Sequence, residues 1–261
     1  MNTEETLHGG NVSFVKRAGN TVKRSLSENA GRIHMLLRHL EQKGYTYSPR
    51  FIGIDSGGCE VLSFIEGEAG NDPMKEYMWS DESLARIAIM LRFYHDAVSD
   101  FPFDASWKPL IGTLPPYELI CHNDFARYNI IFNGKEKLPA GIIDFDVAAP
   151  GSRLWDIAYT LYTCVPLSRF YEVVPGGKID YTNAEAGKRK SRIALFFTKY
   201  GIPHPDNLFD IVLARLSGLC QLIEKKANEG NPAFQKMRQD KHIEHYQEDR
   251  KFIKAHWMEW V

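Results

Sequence analysis

Cysteine is scarce in this chain and scattered: four residues, Cys59, Cys121, Cys164 and Cys220, with no CxxC pair among them. That spacing supports neither a disulfide framework nor a zinc site. Charge of one sign is also missing. Lys and Arg number 32 against 33 Asp and Glu, a formal net charge of −1, which argues against a protein that depends on bulk attraction to nucleic acid. No apolar run approaches the roughly 18 residues that span a bilayer. The opening MNTEETLHGGN is polar and acidic, without the apolar segment of a secretory signal. Internal repeats and low-complexity tracts are absent too. These absences predict a reduced, cytoplasmic protein with neither nucleic acid nor membrane as a partner; they say nothing about oligomeric state. What remains is ordinary globular composition, 44% hydrophobic and 25% charged over 261 residues, enough chain for one large domain or two lobes.

The first third reads as short strands around one helix. Residues 12–17 and 20–25 are partly β-branched runs separated by Ala18-Gly19-Asn20, the pattern of a hairpin. Ile33, Leu36, Leu37 and Leu40 then recur at helical spacing before Lys43-Gly44 stops the run. Two more strands are predicted at 50–54 and 60–65, around the turn-rich Asp55-Ser56-Gly57-Gly58. Residues 66–73 break the pattern and mark the expected lobe boundary, with 1–66 on one side and 67–261 on the other. Beyond it, Ser80 or Asp81 caps a helix with Leu84, Ile87, Ala88, Leu91 and Tyr94 on one face. Apolar runs at 119–121, 129–132 and 140–145 read as buried strands, and from Arg153 the chain is mostly helical. Strands first and helices afterwards fit a two-lobed α+β fold better than a doubly wound sheet.

The chemistry concentrates in His122-Asn123-Asp124-Phe125-Ala126-Arg127-Tyr128-Asn129, followed by Ile142-Ile143-Asp144-Phe145-Asp146. The pattern is H-x-D-x-x-x-x-N, then a strand-borne D-x-D whose first Asp lies 20 positions past Asp124. Phosphoryl transfer calls for such a set: one carboxylate to orient an attacking hydroxyl and take its proton, and hard oxygens to hold Mg²⁺ against phosphates. A lone H-x-D would read as turn capping. The spaced Asn and the second carboxylate pair point instead to a phosphotransferase.

The run HNDFARYNIIF…GIIDFDVAAPGSRLWDIA resembles the aminoglycoside phosphotransferase and choline kinase-like group, which has the protein-kinase-like fold. That resemblance is sharpest over residues 119–160. It implies Asp124 as the catalytic base, Asn129 and Asp144 as magnesium ligands, and Asp146 as a second carboxylate for the metal. It makes His122 a structural member of the loop and Asp156 its hydrogen-bonding anchor. The implied activity is transfer of the γ-phosphoryl group of ATP or GTP, with Mg²⁺, to a hydroxyl of a small molecule. Aminoglycosides, choline-like amino alcohols and sugars are the acceptor classes.

Granted that resemblance, the N-terminal part must supply the nucleotide cleft. Gly9-Gly10-Asn11 would bring backbone N–H groups to the phosphates. Strand alternation favours Arg24 over Lys23 as the phosphate-binding cation, with Val22 facing the adenine and Val15 covering its other side. Ser63-Phe64-Ile65 would form the hinge that hydrogen-bonds the base. Three features depart from the protein-kinase pattern. The helix holding Ile33 and Leu40 has no central acid, leaving Glu28 as the N-terminal candidate for pairing with the cation. Ala126 stands where many kinases have Lys, so that Arg127 is either a phosphate contact or a solvated side chain. Only 11 residues separate Asp144 from Asp156, too few for a kinase activation loop. A small acceptor is therefore favoured over a peptide. A rival reading keeps the fold without turnover, as an inactive nucleotide-binding or immunity-type module. Tyr159, Tyr162, Trp257 and Trp260 read either as a cage for a quaternary ammonium or, more simply, as core.

Overall fold

The computed structural model describes residues 5–7, 15–168, 172–174, 177–178 and 181–261. Strands β1 (Glu5–Leu7), β2 (Val15–Ala18), β3 (Thr21–Arg24), β4 (Phe51–Ile54) and β5 (Glu60–Ser63) form one antiparallel sheet in the order β1-β2-β3-β5-β4. The hairpin joining β2 to β3 closes at Gly19-Asn20, with Ala18 opposite Thr21 and Gly19 at φ +59°, a left-handed position that glycine takes without steric cost. Helix α1 (Ala30–Gln42) lies between β3 and β4 in the chain and buries Ile33, Leu36, Leu37 and Leu40, the face its periodicity predicts. The β4–β5 turn is tied by Asp55, whose carboxylate accepts the N–H groups of Gly57 and Cys59 at 2.9 and 3.0 Å.

Residues 66–73 do more than connect. They contain β6 (Glu68–Ala69) and lead to helix α2 (Asp81–Ala97), whose N-terminus is capped by Ser80 Oγ accepting from Ser83 N at 3.1 Å. Strand β7 (Leu119–Cys121) follows, then β8 (Ile130–Asn133), β9 (Leu138–Ile142) and β10 (Ala149–Gly151). The antiparallel pairs are β6 with β8, β8 with β9, and β7 with β10. The helices are α3 (Arg153–Cys164), α4 (Asn183–Tyr200), α5 (Leu208–Asn228), α6 (Pro232–Gln239) and α7 (His242–His256). A short antiparallel pair, β11 (Glu172–Val174) and β12 (Gly177–Lys178), interrupts the helical series. The result is the expected α+β architecture, a small antiparallel-sheet lobe beside a mainly helical one. No helix among the described residues is long and apolar enough to cross a membrane.

One apolar core runs from α1 through α2 to the central strands and α3, with Tyr94, Phe125, Phe132 and Trp155 fully enclosed. The aromatic residues read as a cage or as core divide between two places. Tyr159 stacks on Tyr162 at 6.0 Å, whereas Trp257 and Trp260 pack on Phe209 at 5.6 and 5.8 Å. Tyr159, Tyr162 and Trp260 are members of the one core and Trp257 packs against it, in line with the core reading.

Candidate functional site

The loop after β7 is held from below by Asp156, which is completely buried near the start of α3. Its Oδ2 accepts the N–H of His122 at 2.8 Å and its Oδ1 that of Asn123 at 2.8 Å; His95 Nε2 donates to Oδ2 at 3.2 Å. Burial opposes the charge of Asp156, but these donors outweigh it and hold the carboxyl below the usual carboxylate range. Burial lowers the His95 pKa against the opposing pull of Asp156, and His95 Nδ1 lies 2.7 Å from the Tyr200 hydroxyl. His122 fixes the next turn. Its Nε2 donates to the Ile143 carbonyl at 3.2 Å and its Nδ1 accepts from Asp124 N at 3.2 Å. That pattern is a neutral imidazole, consistent with burial pushing its pKa down to about 4.

Asn123 stands at φ +62°, an uncommon conformation for a residue with a Cβ. Its side-chain amide donates to the carbonyls of Val147 and Ala149, both at 3.2 Å. Its own carbonyl accepts from Arg215 Nη2 at 2.5 Å. Arg215 is buried on α5, stacked 4.6 Å over the Tyr159 ring. The backbone strain at Asn123 is thus restrained from several sides, and the loop's next residue, Asp124, is aimed by it.

The Asp124 carboxylate accepts two hydrogen bonds. Tyr128 donates its hydroxyl to Oδ1 at 2.6 Å, and Asn129 donates Nδ2 to Oδ2 at 2.8 Å. The Tyr128 and Tyr159 hydroxyls lie 3.0 Å apart. Burial, joined by the charge of Asp144, pushes the Asp124 carboxyl up to about 6 against the hydrogen bonds of Tyr128 and Asn129 and the charge of Arg215. Asn129 Nδ2 also reaches the Asp124 carbonyl at 3.0 Å, which leaves Oδ1 as its side-chain donor to a cation. The Asn129 carbonyl accepts from Ile143 N at 2.9 Å, tying this loop to the chain that presents Asp144. The Asp144 side chain is 50% exposed, at φ +66°.

The sheet lobe contributes Arg24. Its Nε donates to Glu60 Oε1 at 2.6 Å, and its Nη1 and Nη2 fork the two oxygens of Asp146 at 3.0 and 2.6 Å. Asp144 Oδ1 lies 3.9 Å from Nη1. Lys23 points the other way, to Asp55 at 3.2 Å. The acid beside Arg24 is Glu60, directly opposite it in the β3–β5 register and only 1% exposed; Glu28, the sequence-based candidate, is exposed. His34 of α1 donates Nε2 to Glu60 Oε2 at 2.7 Å and stacks on Phe51 at 3.7 Å. A sheet glutamate backed by a helix histidine occupies the place expected for a helix acid.

Other expected contacts are engaged elsewhere. Asp146, expected as a second metal ligand, has both oxygens on Arg24, because the guanidinium fork matches a carboxylate edge. Arg127, expected as a phosphate contact, is forked instead by Asp72 at 2.6 and 2.7 Å. In the hinge segment, Ser63 N–H donates to Arg50 O and Phe64 N–H to Asn20 O, both at 2.9 Å, so neither amide is free for a base. Ile65 packs where a Cβ on Gly141 would come within 2.7 Å of its Cδ1. Val15 and Val22 are half-buried. Gly9, Gly10 and Asn11 lie outside the described residues. Sequence reasoning passed over Tyr128, Arg215, Glu60 and the pairing role of His34. Tyr128 had a local signal in its position just before Asn129. Arg215 had none, since 92 residues separate it from its partner Asn123.

Residues 95–174 match the model of the phosphotransferase enzyme family. The trifolitoxin immunity protein of Rhizobium leguminosarum bv. trifolii is 36% identical over 156 residues, covering 58% of each chain; the match therefore spans little more than half of that relative's length. Among solved structures, the GDP complex of aminoglycoside 2'-phosphotransferase-IIIa superposes with a TM-score of 0.62 at 15% identity, over 95% of this chain and 92% of the other. A choline/ethanolamine kinase family protein from Mesorhizobium loti gives 0.60 at 17% identity, over 96% and 88%. At such identities the likeness is one of fold. The chain carries the protein-kinase-like fold of the aminoglycoside phosphotransferases and choline kinase-like proteins, and its residues 95–174, which include the His122–Asn129 loop, match the phosphotransferase family.

Proposed function

We propose that the protein is a Mg²⁺-dependent kinase that transfers the γ-phosphoryl group of ATP or GTP to a hydroxyl of a small molecule. Residues 1–66 would bind the nucleotide and 67–261 would carry catalysis and the acceptor. The observation that supports this most is the linked set Asp124, Asn129 and Asp144, in which the Asn129 side chain holds Asp124 and its carbonyl holds Ile143, the residue before Asp144. Asp124 accepts the acceptor's hydroxyl proton as the oxygen forms its bond to phosphorus and the nucleoside diphosphate leaves. The donor set fits Mg²⁺ through the exposed Asp144 carboxylate and Asn129 Oδ1, both hard oxygens. When bound, the metal neutralises charge on the phosphates. Aminoglycosides, choline-like amino alcohols and sugars are the acceptor classes to screen.

The immunity-type reading is favoured by one observation, the 36% identity to a trifolitoxin immunity protein. Nucleotide-dependent thermal stabilisation with and without Mg²⁺, followed by a screen for ADP or GDP release over those acceptors and macrolides, separates the two. Stabilisation without turnover on any acceptor would favour immunity; turnover establishes the kinase.

Two variants test the assignments of metal and phosphate groups. Asp144→Ala is expected to keep the fold and lose the Mg²⁺-dependent part of nucleotide stabilisation; unchanged Mg²⁺ dependence in melting curves would sink the assignment. Arg24→Ala is expected to weaken nucleotide binding about tenfold, the loss of a charge-assisted hydrogen bond. Lys23→Ala should change it less than about twofold, because its ammonium sits on the surface beside Asp55. Titration of a fluorescent nucleotide reads both, and the reverse order would reject Arg24.

A further inference from the structure

Arg24 is crowded by acids. One guanidinium faces Glu60 at 2.6 Å, Asp146 at 2.6 and 3.0 Å, and Asp144 at 3.9 Å. A carboxylate edge and a phosphate edge present the same pair of oxygens to an arginine fork. The fork that a nucleotide phosphate would use is therefore already filled, by a residue 122 positions away in the other lobe.

The geometry points to Asp146 as an internal competitor for the phosphate-binding cation: its carboxylate holds the fork of Arg24 until nucleotide phosphate displaces it. This rests on the nucleotide-binding reading above. The arrangement suits an exchange of anions for two reasons. Glu60 is enclosed, faces Arg24 across the β3–β5 ladder and is held by His34, so Arg24 keeps its Nε anchor when Asp146 lets go. Asp146 is partly exposed, with 32% of its side chain open, so the released carboxylate can turn to water. While the fork is closed it also straps the sheet lobe to the chain just beyond β9.

The test is a double-mutant cycle read as ATP affinity, measured by calorimetry in EDTA and again with Mg²⁺. Asp146→Asn is expected to tighten metal-free ATP binding about tenfold, the scale of one lost charge-assisted competitor, and to retain the Mg²⁺ enhancement. In the Arg24→Gln background, where Gln can still donate to Glu60, the same change should shift affinity less than about twofold. Arg24→Lys, which keeps the charge without the fork, provides a second background in which the gain shrinks. Unchanged metal-free affinity with loss of the Mg²⁺ enhancement would make Asp146 a metal ligand and overturn the proposal. Equal tightening with and without Arg24 would reduce Asp146 to simple repulsion and also overturn it. Absence of binding of both ATP and GTP in every folded form, with and without Mg²⁺, would remove the nucleotide reading and this one with it, a result distinct from the other two.

Discussion

Asp124→Asn is expected to lower kcat by about 10²–10⁴-fold, the usual range for loss of a general base, with Mg²⁺–nucleotide affinity nearly unchanged. The substitution keeps the network's shape. An Asn carbonyl at this position can still accept from Asn129 Nδ2, and its amide can donate to the Tyr128 oxygen; the native carboxylate accepts from both at 2.8 and 2.6 Å. Only the ability to take a proton is lost. Steady-state turnover on the acceptor found by the screen, with nucleotide titrations alongside, reads the two effects separately. Turnover near that of the wild type would place the catalytic carboxylate elsewhere.

Asp156→Ala is expected to act on the fold instead. It removes the acceptor of two buried backbone N–H groups and of His95, leaving all three donors in an enclosed site. Breaking such a buried network costs about 3 kcal/mol, and at 2–4 °C per kcal/mol for a chain of this size Tm falls by roughly 6–12 °C. The pH dependence has a definite sign. The native carboxyl sits below its unfolded value, so its contribution to stability is present above about pH 4 and is lost as pH falls through the lowered native value. Thermal melts at successively lower pH should therefore show the gap between wild type and Asp156→Ala beginning to narrow below about pH 4. A Tm drop that persists unchanged to the lowest pH would show that the charge of Asp156 is not what matters.

The local order of the chain was legible wherever one element alone decides the pattern. The buried face of α1 follows from the spacing of Ile33, Leu36, Leu37 and Leu40, and the cap of α2 from Ser80 ahead of two acids. The H-x-D-x-x-x-x-N run and the following D-x-D are likewise local, and their spacing alone pointed to a phosphotransferase. Strand alternation set Arg24 and Lys23 on opposite faces, and the family resemblance favoured Arg24 for the cleft without closing the choice. What each side chain then meets was not legible. Asp146 reads as a metal ligand beside Asp144 in the sequence, but the Arg24 fork takes both its oxygens across 122 residues. Arg127 reads as a phosphate contact until Asp72 is folded against it. Glu60 carried no motif, and only the β3–β5 register sets it opposite Arg24. Periodicity and spacing are fixed by the bonded geometry of a single segment, so the sequence by itself determined the main helices and the longer strands and pointed to the loop's chemistry, while the short strands β1, β6, β10, β11 and β12 carried no pattern of their own. Pairing of charges depends on which distant segments share a low-dielectric cleft, where the nearest counter-ion wins, and that only the tertiary structure decided.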